Sequence, residues 1–439
     1  MNRTFAILSL GCKVNQYESQ ALSEELVRRG FVQVPFTQIA DVYVVNTCTV
    51  TGMSDRKSRQ MLRRTKKLNP DSILAVMGCY SQLSSDEVSK MEETDIIWGT
   101  RHRELLPDAI EQALNNPGGE KIRSDMLLDR RIDPISISHM SERCRAYIKV
   151  EDGCNRYCTY CAIPYARGPV CSREPEQILA EARRLANESC REIVIIGINL
   201  GVYGRDLPSK PTLSQVIAQV AEIPGILRIR LGSMEPDMVN EEFLQVLAST
   251  PKLCSHFHMA LQSGCDNQLL AMNRRYTCAE FEDYCIKLRE IRPQAAICTD
   301  IMVGFPGESD DDFAATKEFL RKINFAAMHV FKYSRRPGTK ADSMPDQVDE
   351  IVKNRRSEEL IRLGSDMSKA FNSTLIDKNV EVLAERRCEA IPNMWEGHTD
   401  NYVTVRFCCD DDLTNKPVMV HITSADSEYA YGTIENMAF

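Results

Sequence analysis

Short apolar runs alternate along most of the chain with longer stretches in which apolar residues return every third or fourth position. In the first third, FAILSL, DVYVVN, SILAVMG and DIIWG predict short buried strands. Between them, NQYESQALSEELVRRG and SDRKSRQMLRRTKKL carry the helical period. That alternation predicts a mostly parallel sheet. A turn-rich stretch, NNPGGEKIRSDMLLDRRIDPIS, predicts a linker. The middle of the chain repeats the strand–helix unit six times, with strands expected at RAYIKVE, EIVIIG, LRIRL, HFHMAL, CTDIMVG and AMHVFKY. PEQILAEARRLANES opens on Pro175, a residue suited to the first helical position. In SDDDFAATKEFLRKI, Ser309 is the expected cap, followed by three carboxylates in the first turn. Six such units predict a partial (β/α)6 barrel, by analogy with the eight-unit one. From Thr374 onward, VEVLAERR, YVTVRFCC and KPVMVHITSA predict a small C-terminal β-barrel. The expected fold class is therefore α/β, with domains over 1–138, 139–373 and 374–439.

The 439 residues, 43% hydrophobic and 26% charged, can bury a core that needs no covalent staple. No apolar run reaches the ~18 residues of a membrane span. The opening MNRTFAILSLGCKVNQ turns polar too soon for a signal peptide. No membrane partner and a cytoplasmic location are expected, and there seventeen cysteines point to ligation or buried thiols rather than disulfides. The net charge of −8 argues against a nucleic-acid partner, as do five Lys/Arg against twelve Asp/Glu in residues 377–439. Positive charge gathers instead in SDRKSRQMLRRTKK, where Arg56, Arg59, Arg63 and Lys66 recur at steps of three and four. On a helix they form one stripe, either a solvated face or a candidate RNA contact.

Ligands of parallel α/β sheets sit beyond the carboxyl ends of the strands. Cys12, Cys48 and Cys79 each fall just past an expected strand of the first segment. Neighbouring strands would let the three thiolates converge on one metal centre; otherwise they are small buried hydrophobes. The barrel strands end in GINLGVYG, GSMEP, LQSG, VGFPGE and YSRRPGT, glycine-rich turns that admit a bulky ligand. The first ends in DGCNRYCTYC, which places Cys154, Cys158 and Cys161 within eight residues. Zinc sites and [4Fe–4S] clusters ordinarily take four protein ligands. Three leave one iron of a cubane open for chemistry; the alternative is a zinc knuckle completed by a distant residue. The other eleven cysteines have no ligand spacing and are expected to be structural.

DGCNRYCTYC resembles the signature of the radical S-adenosylmethionine (SAM) enzymes. In that superfamily the open iron binds SAM, and reductive cleavage gives a 5′-deoxyadenosyl radical. LGCKVNQYES, NTCTV and GCYSQ resemble the N-terminal domain of the methylthiotransferases. That likeness implies a second [4Fe–4S] cluster on Cys12, Cys48 and Cys79, and a C-terminal module like the RNA-binding TRAM domain. GINLGVYG, LGSMEP, HFHMALQSGCDNQLLAMNRRYT, DIMVGFPGE and GHTDNYV resemble the tRNA N6-threonylcarbamoyladenosine methylthiotransferases in particular. The resemblance implies methylthiolation at C2 of that nucleoside beside the anticodon, at position 37. It implies tRNA as partner, SAM as cofactor and an electron donor of flavodoxin or ferredoxin type. It also places Gly197, Asn199, Glu235 and Gln262 near SAM. Siblings that act on isopentenyladenosine or on a ribosomal-protein aspartate remain open, as does a non-catalytic metal-containing RNA-binding protein.

Overall fold

A computed structural model describes residues 3–124, 131–139, 144–389, 391 and 393–436. Six parallel strands form the first sheet: β1 (Thr4–Ser9), β2 (Val32–Gln33), β3 (Val42–Thr47), β4 (Ile73–Gly78), β5 (Ile96–Ile97) and β6 (Ile122–Arg123), in the order β2-β1-β3-β4-β5-β6. Helices α1 (Lys13–Arg28), α2 (Gly52–Leu68), α3 (Cys79–Leu83), α4 (Ser85–Ser89) and α5 (Leu106–Asn115) lie between them. Every residue of β3 and β4 is buried, as central strands covered on both faces must be. The two-residue edge strands β2 and β6 are too short to have left a period in the sequence. β6 lies inside the stretch expected to be a linker; residues 125–130 of that stretch are outside the described set. Its far end is fastened rather than free: Asp133 accepts from the His102 N–H at 2.8 Å, and the Ile135 carbonyl accepts the Tyr17 hydroxyl at 3.1 Å.

The second unit holds the six expected strands: β7 (Arg145–Lys149), then, after the short antiparallel pair β8 (Glu151–Asp152) and β9 (Cys171–Ser172), β10 (Glu192–Ile196), β11 (Arg228–Leu231), β12 (His256–His258), β13 (Ala296–Val303) and β14 (Ala327–Lys332). Parallel pairing runs β7-β10-β11 and β12-β13-β14, and the bridges Ile229↔Leu253 and Met234↔Met259 join the two sets. The result is a partial barrel. Its helices are α6 (Ile163–Arg167), α7 (Pro175–Asn187), α8 (Leu213–Ala221), α9 (Glu241–Ser249), α10 (Asp266–Ala271), α11 (Cys278–Ile291), α12 (Asp310–Ile323) and α13 (Glu350–Ser373). Pro175 is the first residue of α7. Ser309 caps α12 in a reciprocal capping box with Asp312.

The chain ends in a closed five-stranded barrel of β15 (Asn379–Arg387), β16 (Met394–His398), β17 (Thr404–Cys408), β18 (Pro417–Ala425) and β19 (Ala430–Asn436), ordered β15-β16-β17-β19-β18. β16 and β19 were not expected: MWEGH and AYGTIEN each carry a glycine and a charge that break the alternation. Among the described residues, no helix is long and apolar enough to cross a membrane.

Candidate functional site

β1, β3 and β4 are direct neighbours, paired through Leu8↔Val45 and Asn46↔Met77, so Cys12, Cys48 and Cys79 leave one edge of one sheet side by side. Two glycines make that convergence possible. At Gly11 (φ +95°) a Cβ would stand 2.7 Å from both Cβ and Sγ of Cys48; at Gly78 (φ +101°) it would stand 2.5 Å from the Thr47 carbonyl oxygen. The thiols feel one another. Burial pushes Cys79 up to about 12, with the charges of Cys12 and Cys48 adding and Arg167 opposing. Cys48 is likewise raised, first by burial, with Cys12 adding. Thiolates crowded there require a cationic partner.

The second triad stands on the loop after β8. Cys161 closes a turn onto the Cys158 carbonyl at 2.9 Å. Burial pushes its thiol up to about 12, with Cys158 and Cys154 adding. Side chains reach two of these sulfurs: Asn199 Nδ2 donates to Cys154 Sγ at 3.7 Å, and Arg274 Nη1 to Cys158 Sγ at 3.4 Å. Donors on sulfur are among the means by which a protein sets a cluster's potential. Among the described residues, no three His, Cys, Asp or Glu side chains close tightly enough to hold a single metal ion. A cluster makes no such demand, because each thiolate binds its own iron. Two sets of three soft thiols, of which Cys48, Cys79 and Cys158 are buried, therefore fit iron–sulfur ligation.

One cavity of about 200 Å³ is lined by Cys161 of the second triad and by the loop that follows Cys48 of the first. Thr49, Val50 and Thr51, which follow Cys48, form one wall; Tyr160 to Ile163, including Cys161, form another. Gln262, Asp300, Met302, Phe331 and Tyr333 supply the floor from the carboxyl ends of β12, β13 and β14. Of the residues expected near SAM, only Gln262 lines this cavity. Asn199 is engaged with Cys154, and Glu235 pairs with Arg274 at 2.6 Å. Gly197 opens the turn that wraps the Glu151 carboxylate, whose Oε2 accepts the N–H groups of Ile198 and Asn199 at 2.9 and 2.8 Å. Arg274 was missed because one arginine in NRRYT carries no spacing that marks it.

The basic helix α2 starts at the cavity wall and runs away from it. Its stripe divides differently from the expectation. Arg59 is held by Tyr80 and Glu87 at 3.2 and 3.3 Å, and Lys66 by Asp95 at 3.0 Å. Arg56 and Arg63 are exposed, and the exposed Lys57, Arg64 and Lys67 join them. A groove of about 520 Å³ on this face is lined by α2 alone, including Arg56, Arg63, Arg64 and Lys67.

Comparison with known proteins bears on this arrangement. The Radical SAM superfamily model matches residues 148–320, and a model described as Uncharacterized protein family UPF0004 matches residues 4–99. Among solved structures, the radical S-adenosylmethionine methyltransferase TsrM from Kitasatospora setae superposes with a TM-score of 0.55 over 78% of this chain and 74% of its own, at 14% identity, a likeness of fold. The molecule is thus a radical SAM enzyme in class. The Threonylcarbamoyladenosine tRNA methylthiotransferase MtaB of Bacillus subtilis is 38% identical over 98% of this chain and 96% of its own length. That of Aquifex aeolicus is 35% identical over 91% and 96%. The tRNA-2-methylthio-N(6)-dimethylallyladenosine synthase of Pelotomaculum thermopropionicum is 33% identical over 98% of both. The chain belongs to the radical SAM tRNA methylthiotransferases. Membership carries SAM and one [4Fe–4S] cluster with it, and displaces the non-catalytic RNA-binding reading.

Proposed function

We propose that this enzyme methylthiolates C2 of N6-threonylcarbamoyladenosine at position 37 of tRNA, in the cytoplasm. The observation that supports the chemistry is a cavity lined by Cys161 and by Thr49, Val50 and Thr51 of the loop after Cys48. In this reading Cys154, Cys158 and Cys161 hold one cluster, and Cys12, Cys48 and Cys79 hold a second. SAM bound at the first supplies a 5′-deoxyadenosyl radical. Gln262 meets SAM in the cavity, with Gly197 at the neighbouring strand end. Asn199 steadies Cys154, and Glu235 holds Arg274 against Cys158. Met302, Phe331 and Tyr333 give this cavity an apolar part beside the polar Gln262 and Asp300. The exposed cations of α2 lead away from the cavity mouth and meet the phosphates of the RNA. A flavodoxin- or ferredoxin-type donor supplies electrons.

The choice of nucleoside is supported by the relatives named for threonylcarbamoyladenosine, of which three are 35–38% identical to this chain. Relatives named for dimethylallyladenosine, at 32–34%, support the sibling reading. Mass spectrometry of tRNA nucleosides from a strain lacking this chain decides between them. The expected result is loss of 2-methylthio-N6-threonylcarbamoyladenosine with its unthiolated precursor accumulating. Loss of the methylthio form of isopentenyladenosine instead would move the enzyme to the sibling substrate.

A further inference from the structure

The seam between the first two units carries charged side chains with almost no solvent contact. Glu18, on α1, is fully buried, as are Lys149 and Arg167; Arg101, Arg103, Asp133 and Asp152 are 3% exposed or less. Arg167 Nη1 donates to Glu18 Oε1 and Asp152 Oδ1, each at 2.9 Å. Lys149 Nζ reaches the same two carboxylates at 3.1 and 3.2 Å, and Arg103 Nη2 lies 3.1 Å from Glu18 Oε1. Arg101, Arg103, Lys149 and Arg167 therefore face Glu18, Asp133 and Asp152, with the fully buried Glu151 beside Lys149. Burying an unbalanced charge is costly, and such charges are normally paired. The network reaches the N-terminal triad through Asn15, whose Oδ1 accepts from Arg167 Nη2 at 2.8 Å and from the Cys12 thiol at 3.7 Å.

The second arm of Arg167 makes the connection specific. Its Nη2 donates to Asn15 Oδ1 at 2.8 Å. Asn15 Nδ2 in turn donates to the carbonyls of Leu10 and Thr47, at 2.8 and 3.1 Å. Those carbonyls stand immediately before the Cys12 and Cys48 loops. At its other end, Arg167 closes α6, the helix that follows Cys161. One hydrogen-bonded chain thus runs from the loop of one triad to two loops of the other. We propose that Arg167 and Asn15 form a strut that fixes the separation of the two cysteine triads across the shared cavity. They are positioning residues: neither touches the cavity, and their effect is to keep the two clusters at the distance the transfer requires.

This rests on the two-cluster reading, and the test separates the two ideas. The reconstituted full-length enzyme is compared with R167K, which keeps the charge and loses the fork, and with N15A, which leaves every charged pair intact. Three quantities are read: iron per chain, the spin–spin interaction between the two reduced clusters by pulsed EPR, and 5′-deoxyadenosine released per methylthiolated tRNA. Both variants are expected to keep the wild-type iron content, to show an altered or broadened spin–spin interaction, and to release about tenfold more 5′-deoxyadenosine per product. If R167K fails to fold, N15A decides. Four irons in the wild type would overturn the two-cluster reading and the strut together. Eight irons with unchanged coupling and product ratio would overturn the strut alone. So would loss of iron from the N-terminal triad alone in the variants, which would assign these residues to cluster assembly.

Discussion

The two ends of the middle barrel are both closed by arginines, but against different partners. At the carboxyl end, the buried guanidinium of Arg167 meets the Glu18 carboxylate and the Asn15 amide of the N-terminal unit. At the amino end they meet main-chain carbonyls of the C-terminal barrel. Arg230 donates to the Asp400 and Thr399 carbonyls at 2.8 and 3.3 Å, and Arg228 to that of His398 at 2.8 Å. Tyr402, at φ +70°, sits with the guanidinium groups of Arg230 and Arg145 at 4.6 and 5.0 Å and the rings of His256 and His398 at 4.7 Å. The GHTDNYV motif is therefore a joint that plugs the barrel. The lesson is electrostatic. At the amino end each guanidinium has a carboxylate as well as a carbonyl, Arg230 on Glu192, Arg228 on Glu381 and Arg145 on Glu385, so that joint is closed by pairs spread over both units, whereas at the carboxyl end Arg167 gathers two carboxylates and an amide at one point.

The largest effects should come from the carboxyl end. C48A and C158A are each expected to lose about half of roughly eight irons and all product formation, measured by iron and sulfide counting and by nucleoside analysis. Loss of all iron in either variant would make the two sites one cooperative unit and break the contrast between the triads. Next comes the exposed face of α2, the proposed RNA contact. Reversing Arg63 and Arg64 to Glu should weaken tRNA binding at least tenfold, and lower the slope of log affinity against log salt by about 2, with iron content unchanged. The C-terminal barrel offers less to RNA, since Arg386 and Arg406 both spend their charge on Glu396, at 2.7 and 3.0 Å. At the amino end, Y402A removes the ring from between its cations and should cost about 2–3 kcal/mol in denaturant unfolding while leaving the irons in place. Iron loss in Y402A would mean that the two ends are not independent.

What the sequence disclosed follows the same division. The gathering of Cys154, Cys158 and Cys161 on one loop was legible because their spacing is contiguous. Cys12, Cys48 and Cys79 were legible because parallel strands present their carboxyl ends together. The strut was not. Asn15 and Glu18 look like any polar residues of an amphipathic helix, and the partner of Glu18 is 149 residues away. The α2 stripe was half legible: helical periodicity put the cations on one face, but only the fold brings Glu87 and Asp95 to Arg59 and Lys66. In the C-terminal unit, Gly397 and Gly432 interrupted the alternation of β16 and β19, so three strands were expected where five close the barrel.

The smallest expected effect tests whether the amino-end joint is an independent unit. Burial alone would raise the pKa of Glu192, the first residue of β10, but Arg230, aided by Arg145 and Arg228, holds it down to about 2. An unfolded glutamate titrates near 4.3. The folded value is the lower one, so the carboxylate's contribution to stability is fully present above that pH. It is lost as pH falls from ~5 toward 2, by on the order of 2 kcal/mol. The two tryptophans report the ends separately: Trp395 lies in the C-terminal barrel, and Trp98 in the N-terminal unit. In W98F the remaining Trp395 signal should show an unfolding midpoint that falls with acid, and E192Q in that background should flatten the dependence. In W395F the Trp98 signal should respond less to E192Q, because its own seam depends on Glu18, which Arg103 and Arg167 hold down to about 2 against the opposing effect of burial. Equal responses from both tryptophans would show the whole chain unfolding as one unit. The amino-end joint would then be a continuation of the core rather than a separable plug.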